Sequence, residues 1–290
     1  MIKGLSLIAG LLFIALNSYS QTFTVKSVLS YPFPSELTAS KKGAKIAWAM
    51  NEQGKRNIYV AEGPTFKPLK ITDYSSDDGQ ELTSISISDD GKWVVFVRGG
   101  DHGSREGSTP VNAASSPIAP KVQIMSVPFA GGKINVIAEG DNPIIAPNNT
   151  QILFSKGGQI MTAAIDGSTP SRNLFYARGV NGSPIFSPDG SKIAYAFENN
   201  LYVYDTTSKT NLQITQDGQK NKIINGITDW VYEEEFAFVK AFDWNKTGDK
   251  IASKQTIGSV SFNDDEDKTM MNLQIWKGQK ILNPSDWLYR

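Results

Sequence analysis

Three consecutive carboxylates, Glu233-Glu234-Glu235, stand between aromatic residues in the run Asn225-Gly226-Ile227-Thr228-Asp229-Trp230-Val231-Tyr232-Glu233-Glu234-Glu235-Phe236. A surface run of acids is ordinarily a solvated face. Here Trp230, Tyr232, Phe236 and Phe238 flank the acids, an arrangement expected to pin the segment against the body of the protein. Neighbouring carboxylates held near apolar groups resist ionising unless a cation arrives. The guest that fits is an ammonium group, with three N–H donors and one positive charge for two carboxylates to share. A peptide α-amino group, with a pKa of roughly 7.7–8.0, is mostly charged at neutral pH. A fixed glutamate pair would therefore select chains by their free N-terminus.

The elements that must hold this segment are read from an internal repeat. A turn followed by a short β-rich run occurs as Ser40-Lys41-Lys42-Gly43 before Ala44 to Trp48 and as Ser88-Asp89-Asp90-Gly91 before Lys92 to Phe96. It recurs as Ala146-Pro147-Asn148-Asn149 before Thr150 to Phe154, as Ser187-Pro188-Asp189-Gly190 before Ser191 to Tyr195, and as Asn245-Lys246-Thr247-Gly248 before Asp249 to Ala252. The turn residues at 43, 91, 149, 190 and 248 are 41 to 58 residues apart, a period that signals a repeat architecture. Pro presets φ and Asp-Gly supplies the positive-φ position between two strands.

Further strands are expected at Asn57–Ala61, Val122–Val127, Gln159–Ile165, Leu201–Asp205 and Asn272–Trp276, and again at Pro68–Thr72, Lys133–Ala138 and Asn211–Thr215. Three to four strands per repeat make one propeller blade. The expectation from the repeat is an all-β chain, a β-propeller of about five visible four-stranded blades. An irregular β-sandwich is the competing architecture. Gly99 to Pro120, rich in Gly, Ser, Pro and Ala and holding the sole histidine, His102, interrupts the pattern as a flexible excursion or a ligand-facing loop.

At the amino terminus, Lys3, the apolar run Leu5–Leu16 and the polar Asn17–Ser20 have the layout of a secretory signal peptide. An uncleaved anchor is the other reading, although the run falls short of the ~20 residues a span needs. The expected organisation is a signal peptide at 1–20 and a propeller domain at 21–290, exported to a bacterial periplasm or outer surface.

Basic and acidic residues number 29 each, and no basic patch stands out, which argues against nucleic-acid and membrane-surface partners. The absence of cysteine excludes disulfides and thiolate chemistry. No cofactor or metal is expected. The acidic run Phe262 to Lys268 lacks the spaced oxygen ligands and glycine turn of a calcium loop.

Asn225–Phe236 resembles the double-glutamate motif of dipeptidyl peptidase IV-like enzymes of the prolyl oligopeptidase family. The lead-ins Asn200-Leu201-Tyr202-Val203-Tyr204-Asp205 and Leu212-Gln213-Ile214-Thr215-Gln216-Asp217-Gly218 are similar to that family too, so the resemblance covers roughly 185–253. It implies a serine-type peptidase propeller that gates substrates, a β-propeller left incomplete by five visible blades, with the motif on a short helical insertion near 229–238. Glu234 and Glu235 would hold the substrate amine, supported by Glu233, Trp230, Tyr232 and Asp229. The partners implied are peptides with a free N-terminus and a hydrolase domain in the same polypeptide.

Ser84–Phe197 is more similar to acylaminoacyl-type peptidase propellers, and the repeats also resemble Tol-type periplasmic propellers. The latter leaves a non-catalytic protein-binding module as the alternative. No Gly-x-Ser-x-Gly elbow occurs in the sequence, so no catalytic residue is assigned and these residues alone are expected to lack a nucleophile. The family's arginine for the substrate carbonyl corresponds to Arg98, Arg105 or Arg178 without a ranking. The open edges of an unfinished propeller invite association, so residues 21–290 alone are expected to pair with a second copy or to be poorly soluble.

Overall fold

The computed structural model describes residues 24–99, 121–176, 184–220, 222–236 and 239–253, and the strands at 258–263, 268–273, 275–277 and 280–282. Segment 1–20, expected as a signal peptide, most of the 99–120 excursion with His102 and Arg105, Arg178, Phe238 and the acids at 264–267 lie outside the described residues.

A short helix α1 (Val25–Leu29), capped reciprocally by Thr24 and Ser27, leads into consecutive antiparallel meanders. The first sheet is β1 (Phe33–Ala39), β2 (Lys45–Glu52), β3 (Lys55–Glu62) and β4 (Leu69–Lys70). The second is β5 (Leu82–Ile87), β6 (Trp93–Arg98), β7 (Gln123–Pro128) and β8 (Asn135–Glu139). The third is β9 (Asp141–Ile145), β10 (Gln151–Lys156), β11 (Gln159–Ala164) and β12 (Arg172–Tyr176). The fourth is β13 (Ile185–Phe186), β14 (Lys192–Phe197), β15 (Asn200–Asp205) and β16 (Thr210–Gln213). A fifth, three-stranded sheet holds β17 (Gly226–Ile227), β18 (Lys240–Trp244) and β19 (Ile251–Ser253). Two hairpins follow, β20 (Gly258–Asn263) with β21 (Lys268–Leu273) and β22 (Ile275–Lys277) with β23 (Lys280–Leu282). The single strand expected at Asn272–Trp276 is thus divided between β21 and β22.

The second strand of each blade shows why the sheets stack. Side chains alternate between the two faces of a strand. On β6, Val94 and Phe96 enter the core shared with the first sheet, while Val95 and Val97 enter the core shared with the third. On β10, Ile152 and Phe154 face the second sheet and Leu153 the fourth. On β14, Ile193 and Tyr195 face the third sheet, and Ala194 and Ala196 face Phe242 of the fifth. Strands buried on both faces read as continuous apolar runs rather than alternations.

The turns are grouped at one end. All five repeat positions have left-handed backbone: Gly43, Gly91, Asn149, Gly190 and Gly248. Turn residues of all five sheets, Lys41, Asp89, Pro147, Ser187 and Asn245, border a single cavity of about 470 Å³ that Ile145, Phe186 and Trp244 also line. Five consecutive sheets packed face to face around a shared cavity are the blades of a β-propeller. Successive turns interlock. A Cβ on Gly91 would stand 2.9 Å from Lys45 Cδ, and one on Gly248 would stand 3.1 Å from Pro188 Cδ.

Candidate amine-binding site

Strand β18 runs from Lys240 to Trp244 directly into the turn at 245–248. Whatever precedes Lys240 therefore lies at the opposite end of the fifth blade. Helix α2 (Trp230–Phe236) occupies that place, between β17 and β18. The β6–β7 connection between Arg98 and Gln123 opens at the same end. Both interruptions of the repeat thus belong to the end away from the turns.

Asp229 starts the helix. Its Oδ1 accepts hydrogen bonds from the backbone N–H groups of Val231 at 3.0 Å and Tyr232 at 3.1 Å, while its carbonyl accepts from Glu233 N at 3.1 Å. This is an N-cap, which satisfies donors the first turn leaves without partners. Asp229, read from sequence as a supporting residue, supports the helix itself. Tyr232 and Phe236, four residues apart, share one side, with ring centroids 5.8 Å apart.

Trp230, Tyr232 and Phe236 do not pin the segment as the sequence suggested, and Phe238 lies outside the described residues. Trp230 is 71% exposed, Tyr232 52% and Phe236 60%, and α2 contributes no residue to a core. Seven residues make only two turns. The helix stands off the blade, and its seat is the strand before it. Gly226, at φ +81°, packs its backbone so closely that a Cβ would lie 3.1 Å from Ala196 Cβ and 3.3 Å from Leu201 Cδ1. The segment is anchored by that glycine and by Asn225, while the aromatic side chains face outward.

Glu233, Glu234 and Glu235 are all exposed. Glu233 lies in the first turn, where the helix dipole favours an acid. Glu234 and Glu235 lie toward the C-terminal end, which carries no basic residue and where the dipole disfavours acids. Adjacent helical positions diverge by ~100°, so a small ammonium between their arcs can donate a hydrogen bond to each flexible carboxylate.

Of the three candidate arginines, the described residues include Arg98. It forms an ion pair with Asp78, and its guanidinium lies 4.4 Å from the centre of the Tyr74 ring, tying it to the junction of the first two blades.

Sequence reasoning missed the residues that hold the lead-in to α2. Asn200 Oδ1 accepts from Thr215 Oγ1 at 3.1 Å and from Gly218 N at 3.0 Å. Thr215 Oγ1 in turn accepts from Leu201 N at 2.9 Å. Asn225 N donates to Asn199 O at 3.0 Å, and Asn225 Nδ2 to Asp217 Oδ1 at 2.9 Å. The signal was visible in the sequence. Asn57-Ile58-Tyr59-Val60 with Thr72 repeats as Asn200-Leu201-Tyr202-Val203 with Thr215, and in both copies the Asn and Thr pair at a separation of 15 residues.

Residues 169–258, which include α2 and this network, match the family model described as the dipeptidyl peptidase IV (DPP IV) N-terminal region. This segment is DPP IV-like. The bovine prolyl endopeptidase FAP (Bos taurus) is 44% identical over 82 residues, covering 28% of this chain and 10% of that protein. The cat dipeptidyl peptidase 4 (Felis catus) is 42% identical over 71 residues, covering 24% of this chain and 9% of that protein. The matches thus span about a tenth of the length of these relatives. A solved structure from a study of two prolyl endopeptidases overlaps 66% of this chain and 30% of its own at a TM-score of 0.47 and 15% identity. The DPP IV-like segment starts within the third blade, takes in the whole of the fourth and ends in β20.

Proposed function

We propose that this chain is the propeller region of an exported serine-type dipeptidyl peptidase and that Glu234 and Glu235 bind the α-amino group of peptide substrates. The observation that carries the reading is the position of the glutamates. They sit on an exposed two-turn helix inside the DPP IV-like segment, at the end of the blades away from the turns. Two carboxylates anchoring one ammonium fix the start of a peptide at a set distance from any nucleophile, so a cut made there releases a unit of constant length. A hydrolase domain in the same polypeptide supplies that nucleophile, and the propeller selects what reaches it. The relatives are named as a prolyl endopeptidase and a dipeptidyl peptidase. Export follows from the layout of residues 1–20.

The test is a titration of the chain with a tripeptide carrying a free amine and with its N-acetylated twin, followed by NMR. The free-amine peptide is expected to bind at least about tenfold more tightly, as loss of a charge-assisted contact implies. Glu234→Gln and Glu235→Gln should each remove most of that preference. Equal binding of the two peptides overturns the reading. Export is checked separately by the mass of the mature chain, which should begin near Gln21.

A further inference from the structure

We infer that Asn200 is a positioning residue for the glutamate helix, an assignment that rests on Glu234 and Glu235 being the amine contacts. Asn200 opens β15 and is 8% exposed. Its Oδ1 receives Thr215 Oγ1 and Gly218 N, and its Nδ2 donates to Glu198 O at 3.4 Å. One side chain thereby ties the β14–β15 hairpin to the segment that leaves the fourth blade.

Two further contacts continue the tie toward α2. Asn225 donates from its backbone to Asn199 O and from its side chain to Asp217. At Gly218 a Cβ would come within 2.3 Å of Asn199 O, so the chain there is pressed against the hairpin backbone. Gly226 follows immediately, packed on Ala196 and Leu201, and α2 begins at Trp230. Because α2 buries none of its own residues, the chain before it contributes to its placement. A polar side chain that satisfies two donors at once is a specific clamp, since removing it leaves both without a partner.

The protein contains its own control. In the first blade Asn57 Oδ1 accepts from Thr72 Oγ1 at 2.9 Å and from Tyr74 N at 2.7 Å, and Thr72 Oγ1 accepts from Ile58 N at 2.8 Å. Asn57, 2% exposed, is more deeply buried than Asn200 but leads to β5, with no helix between. The two asparagines do the same work for the fold, and only one of them leads to the glutamates.

The experiment uses the full chain with Asn200→Ala, Asn200→Asp and Asn57→Ala. It reads hydrogen exchange of the α2 amides and the affinity for the free-amine tripeptide. Asn200→Ala is expected to speed exchange in Val231–Phe236 about tenfold and to weaken the peptide by a similar factor, the scale of one lost buried hydrogen bond. Asn200→Asp keeps the accepting oxygen and should restore both. Asn57→Ala should lower the melting temperature as Asn200→Ala does, yet leave both readouts within about twofold of wild type. Unchanged α2 exchange in Asn200→Ala, or an equal change in Asn57→Ala, overturns the inference. If Asn200→Ala fails to fold, the partly exposed Asn225→Ala replaces it, with the same direction expected in both readouts. If α2 responds as expected while the wild-type chain shows no preference for a free amine, Asn200 still holds α2 in place, but the amine reading falls and the role in recognition falls with it.

Discussion

Asn149 Oδ1 accepts a hydrogen bond from the backbone N–H of Asp89 at 2.7 Å, joining the turn of the third blade to that of the second. Asn149 also occupies the left-handed position of its own turn, at φ +58°. The same residue therefore shapes one turn and holds its neighbour.

Asn149→Ala should destabilise the chain by about 1–2 kcal/mol, combining a lost hydrogen bond with an alanine forced into the left-handed region. Asn149→Gly relieves the backbone strain and should recover part of the loss. Urea unfolding of the three proteins checks this, and equal midpoints for Ala and wild type would remove the role assigned to the side chain.

Asp189 gives the fourth blade an acid-sensitive turn. Hydrogen bonds from Ser187 first, and then from Ser191, hold its carboxyl down to about 2, below the unfolded value of roughly 3.9. A depressed folded pKa contributes stability above the unfolded pKa, and that contribution is lost as pH falls through the folded value. Stability due to this turn should therefore decline between about pH 4 and pH 2. Asp189→Asn should lower the melting temperature at pH 7 and flatten its fall across that window. A variant whose melting curve still falls in parallel with wild type would assign the loss to other carboxylates.

Gly226→Ala tests the seat of α2. The new Cβ must enter at φ +81° against Ala196 and Leu201, with an expected loss of about 1–3 kcal/mol. Hydrogen exchange should show the damage reaching α2 as well as the fifth-blade strands. A neutral substitution would mean that the backbone can shift there without strain.

The exposed aromatics and the core aromatics should behave oppositely. Trp230→Ala and Tyr232→Ala should change stability by less than about 0.5 kcal/mol, as surface substitutions do. Phe154→Ala, at a residue 1% exposed between the second and third blades, should cost about 3–5 kcal/mol. Denaturant midpoints decide it, and a large loss at Trp230 would restore the idea that it pins the helix.

The turns were legible because their chemistry is local. Ser-x-Asp-Gly encodes its own hydrogen bonds, as Ser187 and Asp189 show, and even the copy without glycine reads correctly because Asn tolerates left-handed backbone. The second strands were legible because burial on two faces leaves an unbroken apolar run at Trp93–Val97 and Ile193–Phe197. The first strands were not. Phe33–Ala39 and Asp141–Ile145 are exposed or half-buried, so no strong pattern marks them.

The helix and its acids stand where the motif suggested. The orientation of Trp230, Tyr232 and Phe236 was not readable, because burial depends on neighbours distant in sequence. The Asn200–Thr215 clamp was readable in principle, since the first blade spells it a second time, but its meaning appears only once Gly218 and Asn225 are seen to follow it.

The segregation of the turns has a consequence for how such a protein can change. At the end where Gly91 and Gly248 each press on the preceding blade, an inserted residue would have to displace a neighbour. At the other end, the connections after Arg98 and Ile227 can lengthen for little more than the entropy of closing a longer loop, about 0.6 kcal/mol for each doubling. One rim is fixed by its geometry. The other is where new recognition can be tried without refolding the blades beneath it.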